Sequence, residues 1–289
     1  MNAIRSFVVA AREPISARLA FQRARLLAHA GDKIVLAHVE RGGFLQLLGE
    51  GELRHAMPDG QLANWTSTSW LEELGRAIDT DPAITVQVVL LRGNPALVLG
   101  DYACSIGAAA IIVAAHREGI LRGLAFGSTA LRILRHSPCP VLVARDSSVS
   151  EYQTAVAAVD IDPASQRVLA TTRDLLPQTA LSLLHVYRLR EEGQLRLRGL
   201  SEHDLAPVRE QVRAEAERGM ASLQATVPLA SINLAYGLAG SEILSFILSQ
   251  RSDILVISQH RGPQTEERVL GSVTQFLLYN CPCDLLLVP

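Results

Sequence analysis

The stretch AFGSTALRILRHSPCPVLVAR, residues 125–145, contains the parts of a turn, a helix and a buried strand. Gly127 and Ser128 suit the turn, because glycine allows backbone conformations that other residues avoid and serine is a favoured helix cap. Residues 141–144 form a short apolar run, which is typical of a buried strand. The Gly-Ser pair has two interpretations at this point: it caps the helix, or it holds a phosphate at the helix N-terminus.

The same pattern returns near the C-terminus at a constant offset of 144 residues. The matched pairs are Gly127 and Gly271, Ser128 and Ser272, and Gly93 and Gly237. Further upstream the match continues with a small drift, as AHV at residues 37–39 and LHV at residues 184–186 show. We therefore predict two copies of one domain, residues 1–146 and 151–289, joined by a short polar linker.

Each copy alternates apolar runs with helical segments, and this alternation indicates an α/β fold. The runs are nearly continuous in apolar residues, as expected for strands buried on both faces of a parallel sheet. Each copy is thus predicted to form a doubly wound, parallel, five-stranded sheet. The predicted strands are 7–11, 34–39, 85–91, 109–115 and 141–144, then 155–159, 181–186, 232–236, 254–258 and 285–288. Predicted helices include 17–28, 69–78 and 205–223.

Composition excludes several classes of function. The net charge is −2, and the single lysine, Lys33, lies outside any Gly-x4-Gly-Lys motif, so a P-loop nucleotidase is excluded and a Schiff-base enzyme is disfavoured. The arginines at 188–198 stand beside glutamates, which favours a solvated surface over a nucleic-acid partner. With four cysteines and no apolar stretch of membrane-spanning length, we expect a cytoplasmic protein without membrane contact.

The chain carries no convincing catalytic or metal-ligating set. Cys281 and Cys283 lack a second pair of ligands, so buried cysteines at a strand start are the preferred interpretation and no metal is expected. His116 and His260 recur after the fourth strand of each copy, yet no nucleophile accompanies either of them at a suitable spacing. We therefore expect no enzymatic activity.

Two segments carry a resemblance to a known family. HSPCPVLV at residues 136–143 resembles the last helix-to-strand segment of universal stress proteins, and GNPA at residues 93–96 resembles their entry to the third helix. The resemblance covers both halves and implies a tandem, UspE-like member with the Rossmann-like, adenine nucleotide alpha hydrolase-like fold. It also implies that the final strands of the two halves meet as a pseudo-dimer, and that two chains can form a homodimer.

The nucleotide-binding members of that family carry Gly-x2-Gly-x9-Gly-Ser/Thr after the fourth strand. Both halves keep the final Gly-Ser, but the early glycines are replaced by Ala114 and Arg117 in the first half and by Ser258 and Arg261 in the second. Each arginine either fills the space of a phosphate or binds it as a bidentate ligand. The resemblance therefore implies a degenerate nucleotide site in both halves.

The family also places an acidic residue at the end of the first strand, on the adenine side. Asp160 occupies this position in the second half, whereas the first half has Arg12. Asp160 has an alternative role as the cap of a helix that begins near residue 165. The candidate residues for ATP or another adenine nucleotide are Asp160, Val186, Gly237, Ser258, Arg261, Gly271 and Ser272 in the second half, and Gly93, Arg117, Gly127 and Ser128 in the more degenerate first half.

Three functions stay open from the sequence. The missing glycines favour a non-enzymatic stress-response binding or scaffold module that holds no nucleotide. The alternative is a nucleotide sensor that uses the second half. The third function, a slow nucleotide hydrolase, has no general base, metal cluster or lysine to support it. An apolar ligand in the pocket is also compatible with the residues.

Overall fold

The computed structural model of this chain describes residues 4–40, 69–78, 82–115, 128–145, 151–189, 191–259 and 270–289. The chain divides into two compact units, Met1–Ser147 and Ser148–Pro289. No helix in the described ranges is both long enough and apolar enough to cross a membrane.

The first unit forms a parallel sheet in the order β3-β2-β1-β4-β5. The order places the switch point between β1 and β4, where parallel sheets bind ligands at the carboxyl ends of their strands. Its described elements are β1 (Ser6–Ala10), α1 (Pro14–Leu27), β2 (Lys33–Glu40), α2 (Ser69–Ile78), β3 (Thr85–Arg92), α3 (Pro95–Ser105), β4 (Ala110–Ala114), α4 (Ser128–His136) and β5 (Val141–Ala144).

The second unit repeats this order as β10-β9-β6-β7-β8, again with parallel pairing throughout. Its described elements are β6 (Thr154–Ala158), α5 (Pro163–Leu175), β7 (Ala180–Tyr187), α6 (Glu192–Leu197), α7 (Glu202–Gln224), β8 (Ser231–Tyr236), α8 (Ala239–Gln250), β9 (Ile254–Ser258), α9 (Ser272–Asn280) and β10 (Asp284–Val288). The predicted doubly wound α/β class is confirmed for each unit.

The central strands form the cores because both of their faces are covered. Phe7, Ile111 and Leu142 are fully buried in the first unit, and Val256 and Leu285 are fully buried in the second. The outer strands differ from the prediction of two-sided burial. Strand β3, at the edge of the sheet, leaves Val88 and Leu90 exposed.

Helix α7 begins with a capping box, three residues before its predicted start at residue 205. The Ser201 side chain accepts a hydrogen bond from the backbone N–H of Asp204, and the Asp204 carboxylate accepts one from the backbone N–H of Ser201. This reciprocal pair satisfies two N–H groups that the helix leaves unpaired.

Helix α6 lies in the arginine-rich segment for which the sequence predicts a solvated surface but no helix. Its Glu192 side chain lies among those of Arg196, Glu202, Arg209 and Tyr236, and these five residues are called the Glu192 cluster. The Glu192 carboxylate accepts hydrogen bonds from Arg209, Tyr236 and Arg196, and the Arg196 Nη2 atom lies 3.0 Å from Glu192 Oε1. Arg209 also donates to Glu202, at 2.8 Å. The cluster thus ties α6 to α7 and β8.

We predict that the Glu192 cluster makes the second unit sensitive to acid. Hydrogen bonds from Arg209, Tyr236 and Arg196 lower the pKa of Glu192 from 4.5 to about 2. Because the folded-state pKa is lowered, the stabilisation is fully present above pH 4.5 and is lost as pH falls toward 2. Glu192→Gln should lower the urea midpoint at pH 7, and its difference from the parent should shrink between pH 5 and pH 3.

Glu215→Gln, an exposed change on α7, serves as the control and should shift the midpoint little at either pH. A gap between Glu192→Gln and the parent that stays constant down to pH 3 would contradict the prediction.

Candidate functional site

The second unit has a cavity of about 250 Å³ at the carboxyl ends of β6, β7 and β9. Five of the seven candidate residues of this half line it: Asp160, Val186, Ser258, Gly271 and Ser272. The other lining residues are mostly apolar, among them Leu184, Ile243 and Ile257. The fold therefore brings together residues that lie more than a hundred positions apart in the sequence.

The N-terminal turn of α9 forms one wall of this cavity. Gly271 occupies the N-cap position without a side-chain cap, and Ser272 is already the first helical residue, so capping by Ser272 is wrong in this unit. Gly271, Ser272, Val273 and Thr274 all line the cavity. The first N–H groups of a helix have no partner within it and form the positive end of its dipole. This wall is thus suited to a negatively charged group.

Asp160 lies at the rim of the cavity rather than at a helix cap. Asp162 is the N-cap of α5, and its carboxylate accepts a hydrogen bond from the Ser165 backbone N–H at 2.9 Å. The alternative role of Asp160 as that cap is therefore wrong. The Asp160 side chain is 62% exposed, and its Oδ1 atom lies 3.9 Å from His185 Nδ1.

One histidine in each unit joins two strand ends beside the cavity. His185 Nδ1 lies 2.8 Å from the Val159 carbonyl oxygen, and His38 Nδ1 lies 2.7 Å from the Ala11 carbonyl oxygen. Because a carbonyl only accepts, Nδ1 carries the proton and donates it in both units. In the sequence, these histidines align the two repeats, and no motif there gives them a further role. Their equivalent positions in the two copies are the signal by which the sequence could have identified them.

Gly237 and Gly93 shape turns and are absent from the residues that line either cavity. Their φ angles are +151° and +129°, which L side chains rarely adopt. Their backbone N–H groups donate to the carbonyls of Tyr187 and Glu40, at 3.1 and 3.0 Å. Each glycine thus directs the chain from an edge strand into the following helix.

Several candidate residues lie outside the described part of the chain. These are Arg117, Gly127 and Arg261, together with His116 and His260. Ser128 begins α4. The two roles considered for the arginines, phosphate ligand or obstruction, stay predictions.

The first unit also has a cavity, of about 360 Å³, at the equivalent place. It is lined by the ends of β1, β2 and β4 and by the start of α4. Arg12 lines this cavity, as its counterpart Asp160 lines the other one. The half with fewer family residues therefore keeps the larger cavity.

Cys281 and Cys283 are buried at the start of β10, and their sulfur atoms lie 3.3 Å apart. In the first unit, burial raises the pKa of the Cys139 thiol. Within the described ranges, no group of three or more His, Cys, Asp or Glu side chains is arranged to hold a metal ion.

Solved structures share this architecture across nearly the whole chain. A universal stress protein from Archaeoglobus fulgidus DSM 4304 is 14% identical, with a TM-score of 0.68 over 98% of this chain and 97% of that one. A functionally unknown protein from Pseudomonas aeruginosa PAO1 is 17% identical, with a TM-score of 0.67 over 99% and 92%. The cytoplasmic domain of a prokaryotic cation chloride cotransporter is 10% identical, with a TM-score of 0.53 over 99% and 95%.

A comparison of the sequence with curated proteins finds no match. At identities this low the structural likenesses define the fold alone. The profile of the universal stress protein family, however, matches residues 3–145 and again residues 151–289. Both halves of the sequence are covered by it, and both carry the same sheet order. The chain therefore belongs to the universal stress protein family.

Proposed function

We propose that the chain is a non-enzymatic stress-response binding protein whose second unit holds an adenine nucleotide. The sequence alone favoured a nucleotide-free scaffold. The observation that supports the nucleotide instead is the single cavity in which Asp160, Val186, Ser258 and the start of α9 meet.

The walls of that cavity match the parts of a nucleoside with a phosphate. Val186, Leu184 and Ile243 provide apolar contact for a base, and the Asp160 carboxylate accepts hydrogen bonds from hydroxyl or amino groups. The N-terminus of α9 accepts the negative charge of a phosphate. The volume of about 250 Å³ lies just below the roughly 300–1,000 Å³ of typical ligand pockets, so it suits the nucleoside part of the ligand, with the phosphates directed to the N-terminus of α9.

Asp160 offers the sharpest test of this function. Calorimetric titration of the full chain with ATP and magnesium should show one site per chain. Asp160→Ala should weaken the binding by about 10- to 100-fold, since hydrogen bonds to a charged group contribute roughly 1.5–3 kcal/mol. Asp174→Ala removes an exposed carboxylate of α5 that does not line the cavity, and it should leave the affinity unchanged.

The role of Arg261 is decided in the same titration. Weaker binding by Arg261→Gly would assign the arginine to the phosphate. If the parent shows no heat of ATP binding and Arg261→Gly binds ATP, the arginine obstructs the site. The nucleotide-free scaffold would then replace our proposal. Release of inorganic phosphate from ATP by the parent would contradict the non-enzymatic role. Pairing of the two final strands and homodimer formation stay predictions from the family resemblance.

A further inference from the structure

The cavity of the first unit differs from its counterpart in charge and size, and we propose that it binds a different class of ligand. We infer that the first unit binds a small apolar molecule that carries one carboxylate group. This inference does not depend on nucleotide binding by the second unit, because each cavity is lined by residues of its own unit.

The walls of the first cavity are mostly apolar and small. Strand ends contribute alanines and valines, and α3 and α4 add larger aliphatic side chains. The apolar lining residues are Ala10, Ala11, Ala37, Val39, Pro95, Leu99, Val113, Ala114, Ala115, Ala130 and Ile133. A volume of about 360 Å³ with such walls falls within the range of small-molecule sites and favours an apolar ligand body.

Arg12 gives this cavity one positively charged group. Among the described residues that line the cavity, no carboxylate balances it; the other polar ones are Ser16, His38 and Thr129. A guanidinium donates hydrogen bonds and accepts none, and its planar fork matches a carboxylate. Where Asp160 can accept from hydroxyl or amino groups, Arg12 cannot. The equivalent positions in the two units therefore favour different ligand groups: hydrogen-bond acceptors at Arg12 and hydrogen-bond donors at Asp160.

The start of α4 adds to the positive potential near Arg12. Thr129 and Ala130 in its first turn line the cavity. Helix N-termini stabilise negative charge. The start of α1 contributes Ser16 to the lining, but the N-cap of that helix is Glu13, whose carboxylate offsets its dipole. Arg12 and the dipole of α4 thus act in the same direction on one anionic group.

Trp70 provides a reporter that belongs to this unit. Its ring contacts the ring of His38, with centroids 5.7 Å apart, and His38 lines the cavity. The two tryptophans of the chain, Trp65 and Trp70, both lie in the first half. A change in tryptophan emission on ligand addition therefore reports on the first unit.

The test compares two ligands of nearly the same shape, cyclohexanecarboxylate and its uncharged amide, cyclohexanecarboxamide, neither of which absorbs where tryptophan is excited. The full chain should bind cyclohexanecarboxylate at one site, with a change in tryptophan emission, and should bind the amide at least about 10-fold more weakly. Arg12→Gln should remove this preference, and Arg12→Lys should keep part of it. Arg18→Gln, an exposed change on α1 outside the cavity, is the matched control and should behave as the parent. Ala114→Leu should block both ligands.

Several results would overturn the inference. These are failure of the parent to bind cyclohexanecarboxylate, equal affinity of the parent for the two ligands, and unchanged preference in Arg12→Gln. The comparison of the two ligands on the parent tests the inference even if a variant does not fold. Competition between ATP and cyclohexanecarboxylate, detected by tryptophan emission, would assign a nucleotide to this cavity instead. Loss of ATP binding in Asp160→Ala alone would leave the inference intact, so the two proposals fail separately.

Discussion

Asp32→Ala is expected to destabilise the first unit by about 3–5 kcal/mol, the range observed when one partner of a buried ion pair is removed. Asp32 is almost fully buried before β2. Its carboxylate accepts hydrogen bonds from the backbone N–H groups of Arg5 and His29, both at 2.9 Å, and from the Arg5 guanidinium at 2.9 Å. The substitution removes the acceptor of both backbone N–H groups and one acceptor of the Arg5 guanidinium.

The ion pair also connects neighbouring elements of the first unit through further contacts of Arg5. The Arg5 guanidinium donates to the Leu27 carbonyl at the end of α1 and lies over the ring of Phe7, 5.4 Å from its centroid. Asp32 therefore holds the start of β1, the end of α1 and the start of β2 together. Loss of this contact should unfold the first unit at lower denaturant concentration and leave the second unit nearly unchanged.

Tryptophan fluorescence measures this effect selectively, because both tryptophans lie in the first half. Urea unfolding of Asp32→Ala should shift the fluorescence transition more than the circular dichroism transition, to which both units contribute. Asp101→Ala, an exposed change on α3, is the control and should stay within about 0.5 kcal/mol of the parent. A fluorescence midpoint equal to that of the parent would refute the role given to Asp32.

The same carboxylate has a definite pH dependence. Burial alone raises the pKa of Asp32, but the hydrogen bonds from His29 and Arg5 outweigh it and lower the pKa below 3.8. Because the folded-state pKa is the lower one, the stabilisation is present above pH 3.8 and is lost as pH falls through the folded-state value. The difference in the free energy of unfolding between the parent and Asp32→Ala should therefore decrease as pH falls below 3.8.

Gly237→Ala is expected to destabilise the second unit by about 1–3 kcal/mol, as strained backbone at positive φ typically does. With φ at +151°, an added Cβ would lie 2.7 Å from the Glu242 Oε1 atom. Two causes are thus combined, backbone strain and a close contact with a side chain. The turn between β8 and α8 should open, and hydrogen exchange should increase in peptides that cover residues 231–250.

Two further variants separate these causes. Gly237→Ala combined with Glu242→Ala removes the contact but keeps the strain, so it should recover only part of the lost stability. Gly193→Ala is the matched control, because its added Cβ would meet nothing within 4 Å and alanine favours the helix in which it lies. Equal effects of Gly237→Ala and Gly193→Ala would exclude a special role of the turn.

The sequence by itself determined the repeat, the ten strands and the parallel α/β class. These features depend on local patterns, because a strand buried on both faces needs a continuous apolar run and a capped helix needs a residue such as Ser201 at its start. The sequence also showed that Gly93 corresponds to Gly237, and a glycine repeated at equivalent positions indicates the same turn in both copies.

Only the tertiary structure decided the roles of single residues at the site. Two aspartates two positions apart, Asp160 and Asp162, are equally good caps in the sequence, and only the path of the chain into α5 assigns the cap to Asp162 and the cavity rim to Asp160. The sequence likewise could not show that the half with Arg12 keeps the larger cavity. The physical reason is that a cavity arises from strand ends and helix starts distant in the chain, so its volume and charge depend on long-range packing that no local pattern encodes.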